Sequence, residues 1–139
     1  MLEKEMVEIK LQELHRYLSQ LKKHQGVTAT ALEKDLEKAW VVQHGLQLSI
    51  QAVLDIGSHI LAAEGATVQE YEDIFLELAR LEVIPEEYAH QIKGMAGFRY
   101  LLVHEYAKVD MNRVAGILNN RLNDFSSFAS FVMDYVSKK

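Results

Sequence analysis

The chain has 139 residues, 49% of them apolar and 25% charged, with one proline and no cysteine. That length and composition suit a single folded domain with one core over residues 1–139, argue against disorder, and exclude disulfides and thiolate metal sites. A net charge of −5 works against wrapping a polyanion over the whole surface.

Taken in chain order, the periodicity is helical almost throughout. Leu2, Met6, Ile9, Leu14, Leu18 and Leu21 recur at three- to five-residue steps, and Gly26 ends this first helix. Thr30-Ala-Leu-Glu33 reads as a capping box opening a long second helix that runs to about Glu64 and stops at Gly65. A second box, Thr67-Val-Gln-Glu70, opens a shorter third helix through Leu81. Pro85, with Glu86 and Glu87 behind it, starts a fourth helix reaching about His104. Asp110 is the N-cap expected for a fifth, continuing to about Val136. No segment alternates with period two for long enough to be a strand.

Five helices joined by short loops predict an all-α, up-and-down bundle. Gly45, Gly57, Gly94 and Gly97 fall inside helices, where each costs about 1 kcal/mol relative to Ala. Close helix approach, with Gly57 against Gly94 and Gly97, accounts for that cost; a kinked helix is the competing explanation. No run of about 18 uninterrupted apolar residues is present, and MLEKEMVEIK lacks the basic-then-apolar order of a signal peptide. A cytoplasmic protein without a membrane partner is the expectation.

Charge is unevenly distributed. From Ala89 to Arg121 the bases Lys93, Arg99, Lys108, Arg113 and Arg121 face only Glu105 and Asp110, so this segment is +3 and the remainder −8. Any contact with nucleic acid belongs to this C-terminal third. Within it, Arg99, His104, Glu105 and Tyr106 crowd around the apolar run from Tyr100 to Val103.

These side chains suit phosphodiester cleavage in RNA. A neutral imidazole can take the proton from a ribose 2′-hydroxyl. A guanidinium can hold the phosphate and stabilise charge on its oxygens. A tyrosine can position the phosphate or stack on a base. The same residues also admit a purely structural reading, with Arg99 paired to a helix carboxylate, His104 capping the helix and Tyr106 packing. On an ideal helix Arg99 and Tyr106 lie nearly in line, whereas Arg99 and His104 diverge by about 140°. Arg99 and His104 can converge only if the helix turns near His104 or a second subunit completes the site.

Gly94-Met-Ala-Gly-Phe-Arg99, Leu101-Leu-Val-His104-Glu-Tyr106 and Val109-Asp110 together resemble the motif of the HepT toxins, a branch of the HEPN superfamily with the pattern Arg-x4-His-x-Tyr. Leu54-Asp55-Ile-Gly-Ser-His59-Ile and Arg121-Leu-Asn-Asp-Phe125 extend the resemblance over most of the chain after Thr30. It implies a HEPN-like helical bundle that forms a homodimer, with the two motifs lining a shared cleft. It also implies a metal-independent ribonuclease, cutting RNA rather than DNA. A small nucleotidyltransferase antitoxin would hold it in check and can adenylylate the motif tyrosine, here Tyr106. The alternative is a non-catalytic partner subunit of such a nucleotidyltransferase. One position departs from the pattern: Tyr100 stands where the family usually carries a polar residue, most often Asn. If that side chain helps hold substrate or histidine, Tyr100 slows catalysis or shifts the role towards partner binding.

Asp55 and His59, four apart, can form a hydrogen-bonded pair on one helix face. The resemblance adds a supporting role at the cleft, with Asp55 orienting a histidine or His59 touching substrate. Lys108 and Arg113 are candidates for phosphate contacts or simply a solvated face. Trp40, Phe125, Phe128 and Phe131 read as core or dimer contacts. No cofactor and no metal is expected: His15, His24, His44, His59, His90 and His104 are scattered without ligand spacing.

Overall fold

The computed structural model describes residues 2–139, and Met1 lies outside the described residues. Among the described residues eight α-helices form: α1 (Lys4–Lys22), α2 (Ala29–Lys34), α3 (Leu36–Ala63), α4 (Asp73–Arg80), α5 (Glu86–Ile92), α6 (Met95–His104), α7 (Met111–Asn120) and α8 (Leu122–Ser137). A 3₁₀ turn, Tyr106–Lys108, separates α6 from α7, and no strand occurs among the described residues. The all-helical class is as expected, while four of the five expected helices are divided or shortened.

The first division falls at Asp35. Thr28, not Thr30, caps α2, its hydroxyl accepting from the Ala31 amide at 3.1 Å. Asp35 then leaves the helical conformation (φ −124°, ψ 92°) and accepts from the Lys38 amide at 3.1 Å to start α3. A carboxylate at a helix N-terminus meets both free N–H groups and the positive end of the dipole, which favours a restart at Asp35 over one continuous helix. The Thr67 box does not open a helix, since α4 begins at Asp73 after an irregular segment over 67–72.

Pro85 serves as the N-cap of α5 in extended conformation (φ −66°, ψ 146°), with Glu86 and Glu87 in the first turn. The expected fourth helix breaks between Ile92 and Met95. Lys93 and Gly94 keep right-handed angles, so the break is a kink rather than a loop. The fifth divides at Arg121 (φ −123°, ψ 5°). Asp110 caps α7 as expected, accepting from the Asn112 amide at 2.9 Å.

The axis of the core is α3. Leu46, Ile50, Val53, Leu54, Ile56 and Ile60 along it are each at most 1% exposed, and α1, α2, α4, α6, α7 and α8 all pack against it. This helix is long and apolar enough to cross a membrane, but it is enclosed by the other helices. Gly57 permits a close approach, though not to α6. A Cβ there would lie 2.7 Å from Ile74 Cγ2 and 3.2 Å from Leu78 Cδ1, both on α4. Nothing lies within 4 Å of a Cβ added at Gly94 or Gly97, so the pairing of those glycines with Gly57 does not form.

A polar knot fastens the α7–α8 corner to α5. The buried Asp124 carboxylate accepts from Gln91 Nε2 at 2.8 Å and from Arg121 Nε at 2.6 Å, and its backbone carbonyl accepts from the Tyr88 hydroxyl. Burial, with the Asp124 charge nearby, pushes the Tyr88 hydroxyl far above its ordinary pKa, so it remains a donor.

Two outcomes follow from this packing. Gly57→Ala forces Ile74 to move and lowers stability by about 1 kcal/mol or more, whereas Gly97→Ala gains up to about 1 kcal/mol of helix propensity; urea denaturation of the two variants should shift in opposite directions. Asp124→Ala strands Arg121 and Gln91 and should cost about 1–3 kcal/mol in the same assay.

Candidate functional site

The motif residues lie at the C-terminal half of α6 and in the turn after it. α6 ends at His104 because Glu105 leaves the helical region (φ −131°, ψ 42°). The Glu105 amide still reaches Leu101 O at 2.9 Å, and the Lys108 amide bonds Glu105 O at 2.8 Å to close the 3₁₀ turn. The turn near His104 therefore forms, and Tyr106 lies in it rather than two helical turns below Arg99.

Arg99 is half-buried and points at α3. Its Nε donates to Gln51 Oε1, and its guanidinium carbon lies 4.9 Å from the centre of the Tyr71 ring. Gln51 Nε2 donates in turn to Asp55 Oδ1 at 2.7 Å, while Lys10 Nζ from α1 stands 3.9 Å from Asp55 Oδ2. The structural reading that pairs Arg99 directly with a carboxylate is thus replaced by an amide between the two. Nε is the one guanidinium nitrogen of Arg99 with a hydrogen-bond partner among the described residues, so the outer nitrogens remain for a ligand.

His104 is exposed, its ring centre 4.6 Å from that of Tyr100 at an interplanar angle of 41°. Tyr100, 54% exposed, therefore covers one face of the imidazole. Tyr106 is 39% exposed, and partial burial raises its hydroxyl above the ordinary pKa. Lys108 Nζ stands 3.9 Å from Glu105 Oε1. No hydrogen bond, ion pair or ring contact joins Arg99 to His104 or Tyr106 among the described residues.

The expected Asp55–His59 pair does not form. Asp55 turns to Gln51 and Lys10, and His59 Nε2 accepts from the Glu3 amide at 3.2 Å. His59 thereby fastens the start of α1 to α3, and Asp55 supports an arginine rather than a histidine. Arg113 lies over the Phe98 ring at 4.6 Å on another face of α6, beside a cavity of about 400 Å³ between α5, α7 and α8. Phe125 and Phe128 are core, Phe131 packs on Tyr88 at 5.0 Å, and Trp40 is 51% exposed. No cluster of three or more His, Asp or Glu side chains suited to a metal occurs among the described residues.

Gln51 and Tyr71 escaped the sequence reading. Gln51 carried a usable signal, a polar side chain four residues before Asp55 and so on the same helix face. Tyr71 lies in the irregular segment before α4 and carried none.

Comparison with known proteins bears on the family and the fold. The chain is 30% identical over 133 residues to the tRNA nuclease HepT of Aphanizomenon flos-aquae, covering 94% of this chain and 90% of that one. It is 28% identical over 88 residues to the mRNA nuclease HepT of Shewanella oneidensis, covering 63% and 66%. The fold matches that of the tri-AMPylated Shewanella oneidensis HEPN toxin, solved in complex with its MNT antitoxin, with a TM-score of 0.83 at 23% identity over 92% of this chain and 96% of that one. A model of the family described as ribonuclease HepT-like matches residues 14–132. The chain belongs to the HepT-like ribonuclease family.

Proposed function

We propose that this single-domain protein is the toxin of a toxin–antitoxin module, a metal-independent endoribonuclease acting through Arg99 and His104, which a cognate nucleotidyltransferase silences at Tyr106. The observation that carries the reading is the state of Arg99. Its guanidinium is fixed on one edge by Gln51 and on one face by Tyr71, with the outer nitrogens unengaged. A structural arginine would be expected to use those nitrogens on a carboxylate.

In the proposed reaction, neutral His104 removes the proton from a ribose 2′-hydroxyl. The 2′-oxygen attacks the adjacent phosphorus, and the bond to the 5′-oxygen breaks. The leaving oxygen takes up a proton, giving a 2′,3′-cyclic phosphate and a 5′-hydroxyl. Arg99 stabilises the charge that grows on the non-bridging oxygens, and Tyr106 donates to the phosphate. Because Arg99 and His104 have separate contacts within one chain, a homodimer in which two motifs face one cleft is part of the proposal. It also supplies a second imidazole to protonate the leaving group. The exposed Tyr100, Val103 and Tyr106 beside His104 give such a pairing its apolar surface.

For silencing, the Tyr106 hydroxyl attacks the α-phosphorus of ATP, pyrophosphate leaves, and the tyrosine becomes an AMP ester. The exposure of Tyr106 suits access by a partner enzyme. One observation favours a second reading, in which the protein serves its nucleotidyltransferase without cutting RNA: the Tyr100 ring shields one face of the His104 imidazole.

Induced expression of the chain alone should arrest growth and shorten cellular RNA, and His104→Ala should abolish both, with cleavage in vitro falling about 10²- to 10⁴-fold. Intact RNA in both cultures would instead support the partner-subunit reading. Incubation with the nucleotidyltransferase and ATP should add AMP mass to a peptide containing Tyr106, and Tyr106→Phe should remove that acceptor; an unmodified Tyr106 peptide would refute silencing at this residue.

A further inference from the structure

We infer that Gln51, held by Asp55, is the positioning residue that fixes the plane of the Arg99 guanidinium for the phosphate; the inference rests on the role proposed above for Arg99. Arginine only donates hydrogen bonds and an ionised carboxylate only accepts them. An amide between the two therefore has a single satisfied orientation, with its oxygen towards Arg99 Nε and its nitrogen towards Asp55 Oδ1, and that is the orientation found. Lys10 and Glu13 of α1 extend the chain, Lys10 Nζ standing 3.9 Å from Asp55 and 3.5 Å from Glu13.

A direct Arg99–carboxylate bond would neutralise the charge that a phosphate needs and could occupy two guanidinium nitrogens at once. The neutral Gln51 occupies only Nε. It sets the edge of the guanidinium while leaving its charge and its outer nitrogens available. Tyr71 supplies the second constraint, because the guanidinium carbon lies over the face of its ring. Edge and face together determine where the two remaining nitrogens point. Gln51 touches no reacting atom in this arrangement and acts through Arg99.

The test uses the full-length ¹⁵N-labelled protein and bulk tRNA as substrate. Gln51→Met keeps the length and helix propensity of the side chain but removes both hydrogen bonds. It should speed solvent exchange of the Arg99 Nε–H, identified by its loss in Arg99→Lys, and should lower kcat about 10- to 100-fold, with KM changed much less. The charge-conserving exchange Gln51→Glu with Asp55→Asn places a carboxylate directly on Arg99; it should keep the Nε–H protected yet leave kcat low, because the guanidinium charge is then neutralised. An unchanged Arg99 Nε–H in Gln51→Met or unimpaired cleavage by that variant would overturn the positioning role, and wild-type kcat in the exchange would overturn the need for a neutral partner. Wild-type protein that leaves tRNA and all other RNA intact would instead overturn the ribonuclease reading, while the Nε–H exchange still decides whether Gln51 holds Arg99.

Discussion

One helix has to be hidden, and the rest of the protein is arranged around that constraint. α3 is apolar on nearly every side, and each Leu or Ile it buries contributes about 1.5–3 kcal/mol relative to exposure. The helices α1, α2, α4, α6, α7 and α8 all pack against it. A helix enclosed in this way can present polar groups only along the seams between its neighbours. Gln51, Asp55 and His59 occupy such positions, half-buried: Gln51 bonds Asp55 and Arg99 of α6, His59 accepts from the Glu3 amide, and Lys10 of α1 forms a 3.9 Å ion pair with Asp55. The residue proposed to position Arg99 therefore comes from the helix at the axis of the core.

The same economy governs charge. Of the five bases that make the Ala89–Arg121 segment positive, Arg121 is held by Asp124 and Lys108 stands near Glu105. Arg99 and Arg113 instead lie over aromatic rings, Tyr71 and Phe98, with no carboxylate partner among the described residues. A ring orients a guanidinium without cancelling its charge. In a protein of net charge −5, this keeps positive potential on α6 and α7 while the acidic surface elsewhere discourages indiscriminate binding of nucleic acid.

The sequence disclosed the class of fold because its 3.6-residue periodicity is strong, and it disclosed the ends of helices where a cap or a left-handed glycine marks them. Asp110, Gly26 (φ +95°) and Gly65 (φ +75°) are such marks. It did not disclose the divisions at Asp35, Lys93 and Arg121. There the helical period runs on while the backbone breaks, and tertiary packing rather than local propensity decides. The site was legible to the same degree. Arg99, His104 and Tyr106 stand out because they are polar residues clustered in one short stretch. Gln51 and Tyr71 come from 48 and 28 positions earlier in the chain, and only the packing of α6 against α3 and the segment before α4 brings them to Arg99. The Asp55–His59 pair was a reasonable inference from spacing that two stronger partners, Gln51 and the Glu3 amide, displaced.

The end of α6 then explains why the proposed site is one that two chains build. Five residues along an ideal helix turn a side chain by about 140°, so a helix that fixes Arg99 against α3 must turn His104 away from it. Ending the helix at His104 does not undo that rotation, because His104 is still the last helical residue. What the ending does is release Tyr106 into a turn and leave Tyr100, Val103 and His104 on an uncovered side. A two-fold partner placed against that side would bring each chain's imidazole towards the other's guanidinium, and an isologous contact needs no further residue to do so. Tyr106 would lie at the rim of the same contact, where an adenylyl group adds bulk and negative charge beside the arginines meant for a phosphate. A modification at that one hydroxyl could block substrate without touching the base, the guanidinium or the chain of amide and carboxylate behind it.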